Sequence, residues 1–168
     1  MNIRCETLPD YPSIAEVNIL GFGQENEAKL VEVIRNSDRY IPELSLIAEV
    51  GGNVVGHILF SYIDLVGEET LQVLGLAPMA VRPQFQRHGI GSALVQAGLE
   101  TADARGEAIV IVLGHSQFYN RFGFEPSVNY EIESPFPVPE DFFMVKRLQS
   151  YQKKYKGTVV YPPAFDGV

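Results

Sequence analysis

A chain of 168 residues, 46% apolar and 20% charged, is too hydrophobic for a disordered segment and long enough to bury the core of one domain. Its formal charge of −8 argues against a nucleic-acid partner, which would need a basic face. No apolar run reaches the roughly 20 residues that cross a bilayer, so no membrane association is expected, and the opening MNIRCETLPDYPS has no apolar stretch of the kind a secretion signal needs.

In chain order, residues 3–7 alternate weakly and read as a first strand. Pro9-Asp10-Tyr11-Pro12-Ser13 is a turn, with Ser13 capping a helix to about Phe22. Residues 26–36 form a second helix on the apolar positions Leu30, Val31, Val33 and Ile34. A strand over 44–50, the Gly51-Gly52-Asn53 turn and a strand over 54–62 make a hairpin. Gly67-Glu68-Glu69 turns into a long strand over 70–81. A helix over 91–105 ends at Gly106, which suits a C-cap. Residues 108–113 are apolar throughout, as in a strand covered on both faces. Strand, helix and buried strand make a βαβ unit, so the two strands are expected to run parallel. A short helix over 116–122, a turn at 123–126 leading into another strand, a proline-rich loop over 134–139 and a strand over 141–148 follow. Residues 149–168 read as a C-terminal extension packed on a domain formed by 1–148. Its apolar Val159, Val160, Tyr161 and Phe165 favour packing over a free tail.

The most informative stretch is 74–99. Arg82-Pro83 closes the long strand, because a residue before proline is pushed to extended geometry. Gln86-Arg87-His88-Gly89-Ile90-Gly91-Ser92 then leads into the central helix. A turn feeding a helix N-terminus gathers backbone N–H groups and partial positive charge, which makes it an anion site. Glycines there let a phosphate approach the main chain. A dinucleotide fingerprint would need a small residue where Leu94 stands, and no Gly-Lys-Ser/Thr of a P-loop is present.

Gln86-x-x-Gly89-x-Gly91 after Met79-Ala80-Val81, followed about thirty residues later by Tyr119-Asn120-Arg121-Phe122-Gly123-Phe124, resembles the paired signatures of the GNAT superfamily of N-acetyltransferases. The resemblance implies a single α/β (α+β) domain with a mixed, mostly antiparallel sheet of about seven strands and about four flanking helices. The sheet would splay between the fourth and fifth strands, where Pro78 interrupts the long strand. It implies acetyl-CoA as co-substrate, with the backbone of Met79, Ala80 and Val81 on the pantetheine and thioester. Arg87, His88, Gly89, Ile90, Gly91 and Ser92 would surround the pyrophosphate, with Gln86 alongside.

The implied reaction is acetyl transfer to a primary amine of a small molecule, protein or peptide, by direct attack in a ternary complex. Tyr119, four residues before Gly123, occupies the position of the family's general acid. A phenol with an ordinary pKa near 10 is protonated at neutral pH. Read without the family, Tyr119 is a packing aromatic beside Phe118, Phe122 and Phe124. For the base, the long strand offers no acidic residue between Leu71 and Val81. His115, His57 or a water chain are the alternatives, His57 being chiefly a structural residue. No His/Cys spacing suggests a metal, and no G-x-S-x-G context suggests a hydrolase. The lone Cys5 suits a cytoplasmic location, and a homodimer is allowed. The other reading is a non-catalytic acyl-CoA-binding sensor or partner module on the same fold.

Overall fold

The apolar patterning resolves into nine strands and four α-helices among residues 1–167, the part of the chain described by the computed structural model. The strands are β1 (Asn2–Cys5), β2 (Ser45–Val50), β3 (Asn53–Val66), β4 (Thr70–Val81), β5 (Ile109–Leu113), β6 (Glu125–Pro126), β7 (Ile132–Glu133), β8 (Phe143–Arg147) and β9 (Gly157–Val160). The helices are α1 (Tyr11–Phe22), α2 (Asn26–Arg35), α3 (Ile90–Ala104) and α4 (Ser116–Tyr119). Strand pairing follows the order β1-β2-β3-β4-β5-β8-β6, and β9 pairs with both β3 and β7. The sheet is mixed and mostly antiparallel, as expected. The two extra strands relative to that expectation are short or late elements, of which β9 came from the C-terminal stretch.

The expected splay is present. β4 and β5 pair in parallel only at Leu74–Val110 and Gly75–Ile111, whereas β4 continues to Val81. Pro78, which offers no N–H to a neighbour, lies in the part of β4 beyond that ladder, after a cis Ala77–Pro78 bond.

Contacts divide the chain into two compact units. The first contains residues 1–61, 77–101 and the segment from Ala164 on. Its core joins Ile14 and Val17 of α1, Leu30, Val31 and Ile34 of α2, and Ile47, Val54, Leu59 and Ala80 of the strands. α1 begins at Tyr11 rather than after Ser13. A 3-10 turn over Leu8–Asp10, opened by a capping box between Thr7 and Asp10, runs directly into it; the Asp10 carboxylate accepts from the Thr7 N–H at 2.7 Å, the Thr7 hydroxyl at 3.0 Å and the Arg4 guanidinium at 2.7 and 2.9 Å. Pro12 fits the first helical turn, where no N–H partner is needed.

The second unit contains residues 62–76 and 102–163. β5 is its central strand, and Ile109 to Val112 are buried. It pairs antiparallel with β8 from Ile109–Arg147 to Leu113–Phe143. β3 runs past the expected end at Tyr62 because its alternation persists: Ile63 and Leu65 are buried, while Tyr62 and Asp64 are partly exposed. That extra length receives β9 at Asp64–Val160 through Val66–Thr158.

Candidate functional site

The expected ligand-binding residues fall in the first unit and the expected acid, Tyr119, in the second, and each group is built by its own local rules. In the first unit Met79, Ala80 and Val81 end β4. Gly21 of α1 lets that helix lie against them, since a Cβ there would stand 3.0 Å from the Ala80 Cβ and 3.5 Å from the Val81 carbonyl. Arg82 ties the strand exit in place. Its N–H donates to the Val55 carbonyl and its Nε to the Val54 carbonyl, both at 2.8 Å, and its Nη1 pairs with Glu16 of α1.

A single 3-10 turn over Pro83–Phe85 follows. Arg87 and Gly89 then adopt left-handed backbone, with φ of 65° and 80°. Left-handed residues in a turn aim successive N–H groups into an anion-binding concavity. For a residue with a Cβ this conformation costs about 1–2 kcal/mol, and such strain is characteristic of ligand-binding turns. The Gly89 carbonyl accepts the Ala93 N–H at 3.0 Å, the first closed turn of α3. The N–H groups that open a helix have no intrahelical acceptor. Ile90 is buried, and Gly56 of β3 makes room for α3 to start close to the sheet: a Cβ there would lie 3.1 Å from both Ile90 and Leu94 side chains. Arg87, His88 and Gly89 are exposed. Residues 86–92 therefore lie together in one turn leading into α3, open to solvent and locally positive at Arg87 within an acidic chain.

Gln86 differs from its neighbours. Its side-chain amide donates to the Val81 carbonyl at 3.0 Å, so it braces the turn against the strand end.

In the second unit β5 leads into Gly114 and His115. The His115 carbonyl accepts the N–H groups of Phe118 and Tyr119, both at 3.1 Å, to start α4. A 3-10 turn over Asn120–Phe122 ends at Gly123, whose φ of 87° a glycine adopts freely. Tyr119 is 8% exposed and packs edge-to-face with Phe118 at 4.9 Å and Phe124 at 5.4 Å between centroids. Burial pushes its phenol up to about 12. Three other tyrosines, Tyr40, Tyr62 and Tyr130, spend their hydroxyls on Glu6, Glu107 and Glu125. No carboxylate among the described residues bonds the Tyr119 hydroxyl in this way.

The two histidines considered as the base separate clearly. His115 is exposed and touches Phe142 edge-to-face at 5.7 Å. His57 has no exposed surface. Its Nδ1 lies 3.3 Å from the Asn18 Nδ2, which also donates to the Ile14 carbonyl at 3.0 Å. Asn18 therefore presents a donor, so Nδ1 is the acceptor and Nε2 carries the hydrogen. Nε2 faces the Ser45 Oγ at 3.1 Å and Glu6 at 3.7 Å. Glu6 also collects Arg35, Tyr40 and Ser45. Nothing in the sequence marks this network, because its members are scattered over the first 57 residues. A cleft of about 420 Å³ between α1 and α2, lined by Tyr11, Ala15, Ala28, Glu32 and Arg35 among others, contains none of the candidate residues. Among the described residues no His/Cys/Asp/Glu group could hold a metal, and no helix is long and apolar enough to cross a membrane.

Residues 42–126 match the family described as "Acetyltransferase (GNAT) domain". The chain belongs to this family. It is 38% identical over 143 residues to the uncharacterised N-acetyltransferase YjhQ of Escherichia coli strain K12, covering 84% of this chain and 79% of the relative. Among solved structures, the GNAT family N-acetyltransferase YhbS from Escherichia coli in complex with CoA aligns with a TM-score of 0.89 and 34% identity, over 98% of this chain and 91% of that one. A GNAT family acetyltransferase from Brucella melitensis in complex with acetyl-CoA aligns with a TM-score of 0.81 and 30% identity, over 98% and 97% of the two chains.

Proposed function

We propose that this chain is an acetyl-CoA-dependent N-acetyltransferase acting on a primary amine of a small molecule, protein or peptide. The observation that carries the reading is the turn from Gln86 into α3, with left-handed Arg87 and Gly89 ahead of the helix. The fit to a pyrophosphate is sterically open: a Cβ built on Gly89 meets nothing within 4 Å. Two relatives over nearly the whole chain bear CoA or acetyl-CoA, which supports the same ligand here. The backbone of Met79, Ala80 and Val81 is assigned to the pantetheine and thioester. Residues 87–92 are assigned to the pyrophosphate, and Gln86 to holding the turn.

In the reaction the neutral amine nitrogen attacks the thioester carbonyl carbon. A C–N bond forms, and negative charge develops on the oxygen, where main-chain N–H donors stabilise it. The C–S bond then breaks, and the departing thiolate takes a proton from the Tyr119 hydroxyl. A phenol raised to about 12 is a weak acid beside a thiol, whose ordinary pKa is about 8.5. The same dry surroundings raise the thiol too, which narrows the gap. The amine's own proton leaves to His115 or to water, since His57 is enclosed and both its ring nitrogens face protein groups. Residues 1–148 are assigned to the catalytic domain and 149–168 to an extension on it, supported by the pairing of β9 with β3. A cytoplasmic location belongs to the same reading, supported by the lone, disulfide-free Cys5.

The test is to incubate the protein with acetyl-CoA and a panel of primary amines, including N-terminal and lysine peptides. Free CoA thiol and the mass of the acetylated amine are then measured. Matched release and amine acetylation support the reading. Tight acetyl-CoA binding without acetylation of any amine favours a sensor or partner module instead.

A further inference from the structure

We infer that Gly114 is a positioning residue for Tyr119: the volume a side chain would fill at position 114 is where the Cδ2–Cε2 edge of the tyrosine ring lies, beside the carbon that bears the hydroxyl. The inference rests on the proposed acid role of Tyr119. A Cβ built on Gly114 would stand 2.5 Å from the Tyr119 Cε2, 3.1 Å from Cδ2 and 3.6 Å from Cζ. The usual reason for a glycine after a strand is its backbone freedom, and that reason is missing here. Gly114 is not among the residues at positive φ, so its backbone is open to any residue and only the ring demands a glycine.

Neither side can yield easily. The Gly114 N–H is bonded to the Phe142 carbonyl at 2.9 Å, which fixes the main chain at the end of β5. Phe118 and Phe124 each meet the Tyr119 ring edge-to-face, and the ring is almost wholly buried. An added methyl therefore drives the ring off its seat by roughly an ångström, the distance needed to restore a normal carbon contact. A displacement of that size at a reacting group costs on the order of 10²-fold in rate.

The test is a double-mutant cycle on the full chain: Gly114→Ala, Tyr119→Phe and the pair. CoA release is measured with an amine the parent acetylates, acetyl-CoA binding by calorimetry, and melting temperature alongside. Gly114→Ala is expected to lower kcat about 10²-fold with acetyl-CoA affinity within a few-fold of the parent. In the Tyr119→Phe background the same alanine should cost less than about threefold more, because the hydroxyl it displaces is already gone. Equal fractional losses in both backgrounds would overturn the inference, as would normal kcat in a folded Gly114→Ala. If Tyr119→Phe alone turns over normally, the acid reading fails first, and Gly114 is then only a packing residue. A melting cycle needs no amine and covers a Gly114→Ala protein that does not fold. Measured against Tyr119→Ala alone, which removes the ring, the alanine at 114 should cost no further stability; a pair less stable than Tyr119→Ala by as much as Gly114→Ala lowers the parent overturns the contact itself.

Discussion

The side-chain amide of Gln86 donates to the main-chain carbonyl of Val81 across 3.0 Å, so the end of β4 and the turn before α3 are clasped by one hydrogen bond. Gln86 is exposed, and its loss should leave folding nearly untouched. A neutral hydrogen bond of this kind is worth about 0.5–1.5 kcal/mol. Gln86→Ala is therefore expected to weaken acetyl-CoA binding about three- to tenfold with an unchanged melting temperature. Calorimetric titration with acetyl-CoA checks it, and full affinity in the variant would mean that the turn holds without its clasp.

Tyr119→Phe keeps the ring and deletes only the hydroxyl, so packing against Phe118 and Phe124 should survive. General-acid assistance is worth about 10²–10⁴ in rate. The expected result is a fall of kcat toward that range with acetyl-CoA affinity preserved. The phenol, raised to about 12 by burial, holds its proton at all lower pH, so the parent's kcat should not decline between about pH 8 and 10. A basic limb in that range, or turnover within twofold in the Phe variant, would remove Tyr119 from the mechanism.

Gly89→Ala separates folding from binding. At φ of 80° a residue with a Cβ pays about 1 kcal/mol of stability. No protein atom lies within 4 Å of the new carbon, so little further loss is expected from denaturant unfolding. The methyl would instead stand on the open side of the turn, where a phosphate must approach. Acetyl-CoA affinity should fall by tenfold or more; an unchanged Kd in the folded variant contradicts the cradle.

The buried network of the first unit predicts acid sensitivity. Burial lowers the His57 pKa from the ordinary 6.5. Burial alone would raise Glu6 above its ordinary 4.5, but bonds from His57, Arg35, Ser45 and Tyr40 outweigh it and hold the carboxyl well below. In both cases the unfolded chain takes up a proton before the folded one does, so stability falls as pH drops. The loss should begin below about 6.5 through His57 and steepen below about 4.5 through Glu6. Urea unfolding from pH 8 to 4 measures it. His57→Gln should flatten the first limb, and parent stability that stays level between pH 7 and 5 would refute the assignment.

Gly98 of α3 faces the Phe60 ring so closely that a Cβ would overlap the Cε1 and Cζ atoms. Alanine gains about 1 kcal/mol in helix propensity over glycine. Overpacking a fixed core typically costs about 1–3 kcal/mol, and an overlap this deep lies at the upper end. Gly98→Ala should lower the melting temperature, and Gly98→Ala with Phe60→Leu should recover most of the loss. A more stable single variant would show that the ring moves freely.

The sequence carried the strand–turn–helix of residues 70–104 because each boundary has a local cause: Pro83 after the strand, Gly89 at the left-handed turn, Gly106 after the helix. The burial of Tyr119 was equally legible, since Phe118, Phe122 and Phe124 surround it in sequence. Gly114 was not, because a glycine after a strand reads as a turn until the ring beside it is seen. His57 looked like an isolated strand histidine; its partners Asn18, Ser45 and Glu6 meet it only through β1, β2 and α1. The helix is expected to start at Ser13, but a 3-10 turn opened by Thr7 and Asp10 runs into it from Leu8, and the Asp10 carboxylate is held by Arg4, a contact between a strand and a turn that no local pattern announces.

β9 joins β3 on one side and β7 on the other, although it lies near the end of the chain and its β3 partners precede it by more than half the sequence. During synthesis on a ribosome the chain emerges from its N-terminus, so β3 and β7 are both exposed before residues 157–160 exist. Until then the far end of β3 and the short β7 present open strand edges, the kind of surface that pairs with another nascent chain. Gly157, whose Cβ position is occupied by the Val66 carbonyl, is the residue that lets the late strand close in. The pairing of β3 and β7 through β9 is thus completed only once residues 157–160 have been made, and until then their edges are open to pairing with another chain.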